Sequence, residues 1–263
     1  MTEPPNFNRL ASPYRWMEWL TFGPFLALCR FTFLKEAKSC RRALVLGDGD
    51  GRFTAHLLRI NPQIQIDAID ASPAMLEALT RHAGPNAVRL LTHQADARNW
   101  SPAGPGAPEP GSPRTGLSSR GEEPALSLPK GPSHFGTGDS KNDLVVTHFF
   151  LDCLTTEEIQ SLAARLRPAL TPSALWIVSE FAIPSNWYGR LVARPLITAL
   201  YRAFGLLTGL TIRKLPGHPS ALRAAGFTLL HRRPRLAGLL VSELWTVTPS
   251  NRLQNLPSQA QRP

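Results

Sequence analysis

Cysteine is scarce in this sequence of 263 residues, and its scarcity excludes two kinds of small stabilised domain. Cys29, Cys40 and Cys153 are widely scattered and form no Cys-x-x-Cys or Cys/His pattern. Such spacing builds neither a disulfide framework nor a zinc module. We therefore expect a protein of the reducing cytoplasm.

Long apolar runs are also missing. No stretch reaches the roughly 18 uncharged apolar residues that a membrane-spanning helix needs. The first ten residues, MTEPPNFNRL, lack the basic and apolar regions of a secretory signal. These absences predict a soluble protein, and 43% hydrophobic residues provide for a sizeable core.

Acidic residues are nearly absent from the last third of the chain. Residues 1–186 contain 18 Lys and Arg against 18 Asp and Glu, whereas residues 187–263 contain 11 basic residues and the single acid Glu243. The net charge of +10 therefore lies in that last third. This asymmetry is compatible with a solvated surface, an anionic substrate, an anionic membrane or nucleic acid.

A segment rich in proline, glycine and serine interrupts the chain. Residues 101–140 contain eight Pro, eight Gly and seven Ser, which leaves too little apolar material to offset the entropy of ordering. We predict a disordered insert over residues 101–141 inside one domain, residues 41–248. An N-terminal helical cap over residues 1–40 and a disordered tail over residues 249–263 complete the predicted organisation.

Strand and helix patterns alternate outside the insert. Apolar runs predict strands at residues 43–47, 64–70, 87–96, 143–150 and 174–181, with helices at 52–60, 72–82 and 156–166 between them. Two later β-rich runs, GFTLLHR and GLLVSELWTV, are joined by five residues, too few for a crossover helix. The pattern predicts an α/β fold with a seven-stranded, mostly parallel sheet, its last strand antiparallel, and helices on both faces.

The turn Gly47-Asp48-Gly49-Asp50-Gly51 follows the first predicted strand and opens the first helix. Glycine permits positive φ and close approach of the backbone to a ligand, and the free N–H groups of a helix start favour a polar group. The spacing G-x-G-x-G lacks the third glycine of the dinucleotide pattern, and the two aspartates repel a pyrophosphate but attract a cation. The turn therefore disfavours an NAD-dependent oxidoreductase.

Acidic residues end the next two strands. Asp70 lies 19 positions after the last of these glycines, where a carboxylate can accept both hydroxyls of an adenosine ribose. Ser72 and Met75 follow it, and Asp96-Ala97 follows the third strand. Each residue also has a structural interpretation, as a helix cap, core filler or turn former. Open α/β sheets, however, bind ligands at the carboxyl ends of their strands.

Together these motifs resemble those of class I S-adenosylmethionine-dependent methyltransferases, over about residues 40–248 minus the insert. The D-x-S-x-x-M pattern and the helices inserted after the fifth strand are similar to the small-molecule branch that includes ubiquinone- and menaquinone-biosynthesis-type enzymes. The resemblance implies a Rossmann-like fold, S-adenosylmethionine as cofactor, and methyl transfer to a small, hydrophobic acceptor. No [DNS]-P-P-[YFW] follows the fourth strand, which argues against amino methylation of DNA bases.

The resemblance implies a set of cofactor-binding residues: Gly47, Asp48, Gly49, Asp50, Gly51, Asp70, Ala71, Ser72, Met75, Asp96, Ala97 and Thr147. In this set Asp70 would bind the ribose and Asp96 the adenine N6. The acidic residue usual two positions before the first glycine is Val45 here. Asp48 or Asp50 would then take its place towards the methionine amino group.

Two candidate catalytic residues, His148 and Asp152, lie on and just after the fourth strand, near the expected position of the methyl group. The protein has to align the acceptor and can remove its proton. The alternatives are a hydrogen-bonded structural histidine and a helix-capping aspartate. We interpret Cys153 as buried packing, and Ser72 and Met75 as residues that flank the adenine.

Two apolar segments, Tyr14–Leu34 and Trp187–Leu210, are predicted to be helices interrupted at Pro24 and Pro195. The second carries three arginines, Arg190, Arg194 and Arg202. These helices either pack on the core as ordinary amphipathic elements or form a lid over the acceptor. In the second case the arginine face of the lid at residues 187–210 rests on anionic lipid.

A second hypothesis is a basic RNA-binding or RNA-methylating protein on the same fold. The sequence has no base-reading motif and no aromatics interleaved with its basic cluster, which weakens a nucleic-acid partner. The expected partners are therefore a small-molecule acceptor and an anionic membrane. The expected location is the cytoplasm, at the inner face of a membrane.

Overall fold

The computed structural model describes residues 22–102, 141–208 and 215–249. The start of the predicted N-terminal cap, almost all of the predicted insert, the last residues of the predicted lid and most of the predicted tail lie outside these described residues.

Seven strands form one sheet: β1 (Arg42–Leu46), β2 (Gln65–Asp70), β3 (Leu90–Gln94), β4 (Asn142–His148), β5 (Leu170–Phe181), β6 (Phe227–Arg235) and β7 (Leu240–Val247). The order across the sheet is β3-β2-β1-β4-β5-β7-β6. Strands β1 to β5 pair in parallel, and β7 is antiparallel to both of its neighbours. The predicted sheet with a reversed last strand is confirmed.

Six α-helices accompany the sheet in the described ranges: α1 (Phe25–Arg30), α2 (Arg52–Ile60), α3 (Pro73–Ala83), α4 (Thr156–Leu166), α5 (Arg194–Thr208) and α6 (His218–Ala224). Local capping fixes two of them. The Ser72 hydroxyl accepts a hydrogen bond from the Met75 N–H, and Thr155 and Glu158 form a reciprocal capping box. These helices therefore begin where the sequence predicts.

The core has two layers, one on each face of the sheet. Alternation along β1 sends Leu44 and Leu46 into a cluster with α4 and α6, and Ala43 and Val45 into a cluster with α2 and α3. Helices on both faces are thereby confirmed. Trp176, wholly buried, anchors the first cluster.

Helix α1 and the helical segment that follows β5 meet in a third cluster. Leu26 and Cys29 of α1 pack with Phe181 at the end of β5 and with Ala193 and Ile197 around the start of α5. This contact holds both segments at the carboxyl edge of the sheet, where β5 ends.

Both segments differ in detail from the prediction. Helix α1 starts after Pro24 and ends at Arg30 rather than Leu34, because the chain continues in turns from Phe31. Residues Gly189–Ala193 form a π-helix before α5. The segment changes from π-helix to α-helix just before Pro195, which has no N–H to donate, and stays helical through it. The predicted interruption at Pro195 is therefore a change of helix type and not a break. Within the described ranges, no helix combines the length and apolar character needed to cross a bilayer.

Candidate active site

A cleft opens at the carboxyl ends of β1, β2, β3 and β4. Open α/β sheets bind their ligands at this edge. Eight predicted site residues line the cleft: Gly47, Gly49, Asp70, Ala71, Met75, Asp96, Ala97 and His148. The parallel strands bring them together although three separate turns, a helix and strand β4 contribute them.

The glycine turn after β1 needs its glycines for two reasons. Gly47, Gly49 and Gly51 all have positive φ, at 65°, 59° and 78°. A Cβ on Gly47 would also overlap the Phe150 ring, and one on Gly51 would lie 2.5 Å from the Leu79 side chain. The turn therefore keeps Gly47 and Gly49 at the cleft wall, whereas Gly51 packs against α3.

Asp48 lies beneath the turn and does not line the cleft. Its Oδ2 accepts the Thr54 N–H at 2.9 Å and the Thr54 hydroxyl at 2.7 Å, at the start of α2. Its buried Oδ1 has no hydrogen-bond partner among the described residues, and burial raises the pKa of Asp48 to about 6. Asp50 instead pairs with Arg52, whose Nε lies 2.8 Å from Oδ2. Asp50 is thus paired at the surface of the turn, whereas the unpartnered Asp48 Oδ1 lies under the turn and outside the lining of the cleft.

Asp70 ends β2 in the cleft wall. Its Oδ1 accepts the Ser72 N–H at 2.8 Å, which fixes the side chain at the start of α3. Burial raises the pKa of Asp70 to about 6. Ser72 itself is buried and serves as the cap of α3, so its hydroxyl does not reach the cleft, whereas Met75 from the first turn of that helix does.

Asp96 is held by a neighbouring arginine. The Arg98 Nε donates to both carboxylate oxygens, at 3.0 and 2.9 Å, and Arg98 also lines the cleft. Burial raises the pKa of Asp96, but the hydrogen bonds from Arg98 outweigh this effect and leave the pKa below its usual range. An adenine amino group that binds Asp96 would therefore donate to a carboxylate that already accepts hydrogen bonds from Arg98.

His148 is buried at the end of β4 and lines the cleft. Neither ring nitrogen has a hydrogen-bond partner among the described residues, so these residues give no support to the alternative of a hydrogen-bonded structural histidine. The ring meets Phe53 edge-on, with centroids 4.6 Å apart. Burial and then the charge of Arg30 hold the pKa of His148 well below its usual range, so the imidazole is neutral.

Two other predicted residues do not line the cleft. The Thr147 side chain is fully buried and accepts a hydrogen bond from the Trp176 Nε1 at 3.0 Å. Asp152 is also buried, and the Cys153 thiol lies 3.6 Å from its Oδ1. Cys153 lines the cleft and Asp152 lies outside its lining, so the catalytic role of Asp152 stays a prediction that the position of the residue does not support.

Sequence reasoning missed two residues of the wall. Arg30 of α1 is 4% exposed and lies 5.4 Å from the centroid of the Phe149 ring. Phe149 has a left-handed backbone, φ 52°, at the end of β4. A cation among the mostly apolar residues 22–34 was the available signal for Arg30. No sequence pattern indicated the left-handed backbone of Phe149. Backbone strain of this kind is concentrated at functional sites.

Glu180 of β5 was also missed, and it holds the turn after β4. Its Oε1 accepts the N–H groups of Phe150 and Leu151, at 3.1 and 2.8 Å. Burial and the charge of Asp152 raise the pKa of Glu180 well above its usual range. An acidic residue inside the apolar run ALWIVSEF was a visible signal.

Comparisons with known proteins point to one kind of domain. A family model described as a methyltransferase domain matches residues 43–106, which include the glycine turn and Asp70. A search of curated proteins finds no match.

Several solved structures share the fold. The S-adenosylmethionine-dependent methyltransferase SibL has a TM-score of 0.54 at 21% identity, over 95% of this chain and 64% of its own. An O-methyltransferase family protein from Burkholderia thailandensis has a TM-score of 0.54 at 15% identity, over 95% and 66%. The N-methyltransferase NodS from Bradyrhizobium japonicum, in complex with S-adenosyl-L-homocysteine, has 0.50 at 12%, over 84% and 86%.

The chain spans just under two thirds of the length of the first two of these proteins. The sheet order and the reversed last strand are those of the shared fold. Residues 43–106 therefore match a methyltransferase-domain model, and the chain has the Rossmann-like fold of these S-adenosylmethionine-dependent methyltransferase structures.

Proposed function

We propose that this chain is an S-adenosylmethionine-dependent methyltransferase that acts on a small, hydrophobic acceptor. The observation that carries the proposal is the cleft: the residues that match the methyltransferase-domain model, Gly47, Gly49 and Asp70, form one wall, and a neutral His148 without hydrogen-bond partners forms another. Fold likeness alone would not place these groups together.

The groups in the wall fit this cofactor. Asp70 can accept the ribose hydroxyls, and Met75 and Ala97 supply apolar contacts for an adenine. The Arg30 guanidinium, which lines the cleft, suits the methionine carboxylate. When bound, S-adenosylmethionine supplies a methyl group that its sulfonium already activates.

His148 would receive the acceptor's proton. In the overall reaction an acceptor O–H or N–H gives an O–CH₃ or N–CH₃ bond, the carbon–sulfur bond breaks with its electrons staying on sulfur, and one proton is released. A neutral imidazole with an open nitrogen can take that proton. The buried Arg30 next to it favours negative charge developing on the acceptor.

The lining favours an acceptor with an apolar, planar body. Phe149, Phe150 and Leu154 form the wall on the side of β4. Most of the exposed lining is apolar, and such a surface contributes about 25 cal/mol for each Å² of apolar area it buries. Together with the inserted helical segments, it supports the narrower proposal of the small-molecule, quinone-biosynthesis-like branch.

The test begins with calorimetry. We expect S-adenosylhomocysteine to bind at one site per chain and NAD not to bind. A screen of phenolic and quinol metabolites, read by mass spectrometry for a gain of one methyl group, then tests the acceptor class. A folded protein that does not bind the nucleoside would overturn the proposal.

His148→Gln tests the proton acceptor. We expect kcat to fall by roughly 100-fold, on the scale of general-base catalysis, with unchanged affinity for S-adenosylhomocysteine. Cys153→Ser is the matched control, since that thiol lines the same cleft. Equal activity of His148→Gln and wild type would remove His148 from the mechanism.

A further inference from the structure

Residues 187–208 carry apolar side chains on their solvent side. Trp187 is 68% exposed and Leu191 72%, and Val192 and Leu196 are 41% and 38% exposed. Trp187 and Leu191 are four residues apart, and so are Val192 and Leu196. The members of each pair therefore lie about one helical turn apart. We call these four residues the outward apolar face. It is not required for packing, because Ala193 and Ile197 hold the opposite side of the segment against the domain.

Three exposed arginines lie in the same segment as this face. Arg190, Arg194 and Arg202 are exposed, and no carboxylate in the described part of the chain forms an ion pair with any of them. The sequence has no acidic residue between residues 187 and 242. An apolar strip with arginines beside it matches an anionic headgroup layer above hydrocarbon.

We propose that the outward apolar face binds the surface of an anionic bilayer, with the segment lying in the plane of the interface. Trp187 and Leu191 would enter the boundary between headgroups and acyl chains. Arg190, Arg194 and Arg202 would contact lipid phosphates. At about fivefold in partition coefficient for each arginine, the three together account for on the order of 100-fold.

This docking would place the cleft close to the lipid. Phe149, which lines the cleft, also packs against the cluster that contains Ala193 and Ile197. A hydrophobic acceptor dissolved in the bilayer would then have a short route to the site. This last step rests on the proposed methyl transfer, whereas binding to lipid does not.

The experiment is sedimentation of the full chain with vesicles, without cofactor. We expect binding to phosphatidylcholine mixed with phosphatidylglycerol, no binding to phosphatidylcholine alone, and release by salt. Arg190→Gln, Arg194→Gln and Arg202→Gln combined should weaken binding on the order of 100-fold. The control Lys38→Gln, Arg59→Gln and Arg81→Gln removes the same charge from exposed positions elsewhere and should retain most of the binding.

A second variant tests insertion rather than charge. Trp187→Ser with Leu191→Ser should weaken binding about tenfold or more while the melting temperature stays unchanged, because both side chains are exposed. Brominated acyl chains should quench part of the tryptophan fluorescence, and Trp187→Phe should abolish that part.

Several results would overturn the proposal. One is the absence of binding to anionic vesicles at low salt. Another is an equal loss in the two triple variants, which would indicate net charge alone. A third is RNA that displaces the vesicles and depends on the same arginines. Calorimetry with S-adenosylhomocysteine on each variant separates these outcomes from failure of the proposed activity.

Discussion

Glu180 on β5 and Glu243 on β7 lie on neighbouring strands and are both fully buried, yet their surroundings differ. Glu243 Oε2 hydrogen bonds with His218 Nε2 at 3.1 Å and accepts the Trp245 Nε1–H at 2.9 Å. The Arg232 Nε lies 3.4 Å from its Oε1. Burial raises the pKa of Glu243, but the hydrogen bond and the charge of His218, with the charge of Arg232, outweigh it and leave the pKa below its usual range.

Glu180 has no cationic partner of this kind among the described residues. One oxygen accepts two backbone N–H groups, and Oε2 has no hydrogen-bond partner in the described part of the structure. Each glutamate thus has one oxygen without a hydrogen-bond partner among the described residues, and they differ in their cations. A buried carboxylate with cationic partners holds strands and helices together, whereas one held by backbone N–H groups retains electrostatic free energy near the ligand site. The two strands thus separate a structural region from a candidate active region.

The largest expected effect comes from removing the paired carboxylate. Glu243→Ala leaves His218, Trp245 and Arg232 without their shared acceptor, and we expect the free energy of unfolding to fall by about 3–5 kcal/mol. Urea denaturation followed by circular dichroism measures it. Glu180→Gln keeps an acceptor for its two N–H groups and should cost less than about 1 kcal/mol. A larger loss of unfolding free energy in Glu180→Gln than in Glu243→Ala would contradict the distinction between the two glutamates.

Asp70 at the end of β2 is a third carboxylate to compare, and we expect it to act on cofactor binding. Asp70→Ala should weaken binding of S-adenosylmethionine and S-adenosylhomocysteine by about 1.5–3 kcal/mol, on the scale of a charged hydrogen bond. The control is Asp67→Ala on the same strand, since Asp67 pairs with His93 at 3.0 Å and does not line the cleft. Calorimetry that gives unchanged affinity in folded Asp70→Ala would reject the ribose site.

Protonation of Asp70 should also weaken binding of S-adenosylhomocysteine, as the change Asp70→Ala does. Because burial raises its pKa to about 6, the carboxylate is lost as pH falls through that value. We expect the dissociation constant of S-adenosylhomocysteine to rise below about pH 6 in the wild type. The rise should be smaller in Asp70→Asn, which has no proton to gain at that position.

The pH dependence of stability should have opposite signs for the two glutamates. The folded-state pKa of Glu180 is raised, so its contribution is present at low pH and is lost as pH rises through that pKa. The pKa of Glu243 is lowered, so its contribution is present above the unfolded pKa and is lost as pH falls through the folded one.

Glu180→Gln should therefore gain stability relative to wild type with rising pH, and Glu243→Gln should approach wild type in acid. The scale is about 1.4 kcal/mol for each unit of pKa shift. Urea midpoints across the pH range measure both trends, and parallel curves for the two variants would refute the distinction.

The smallest effect is expected in the insert. Replacement of residues 103–140 by a short Gly/Ser link should change the melting temperature and the cofactor affinity very little, since we predict that this segment forms no core. Loss of cooperative unfolding would show that it packs on the domain.

Prediction from sequence was most accurate where local chemistry fixes an element. The bounds of α2 and α4 match the predicted ones, and the cap at Ser72 sets the start of α3. Where backbone context decides, the prediction was less complete. Strand β5 already starts at Leu170, before the expected Ala174, because pairing with β4 extends it.

The cleft was predictable from the turns that follow β1, β2 and β3, because parallel strands end at one edge. The residues that place charge beside the cleft, Arg30 and Glu180, were not predictable in this way. Arg30 reaches the cleft through packing of α1 on β5, and Glu180 holds a turn 30 residues away in sequence. Local patterns contain no information on such pairings.

The position of β7 between β5 and β6 affects how the chain is assembled during synthesis. Strand β5 has its parallel neighbour β4 as soon as it is made, but its other edge must wait for the last strand. At ribosomal speed this delay lasts on the order of seconds. Throughout that interval an apolar strand exposes unpaired N–H and C=O groups, the arrangement that recruits foreign strands. Newly made chains thus carry a transient aggregation site that the finished fold hides, and chaperone dependence should be concentrated in that interval.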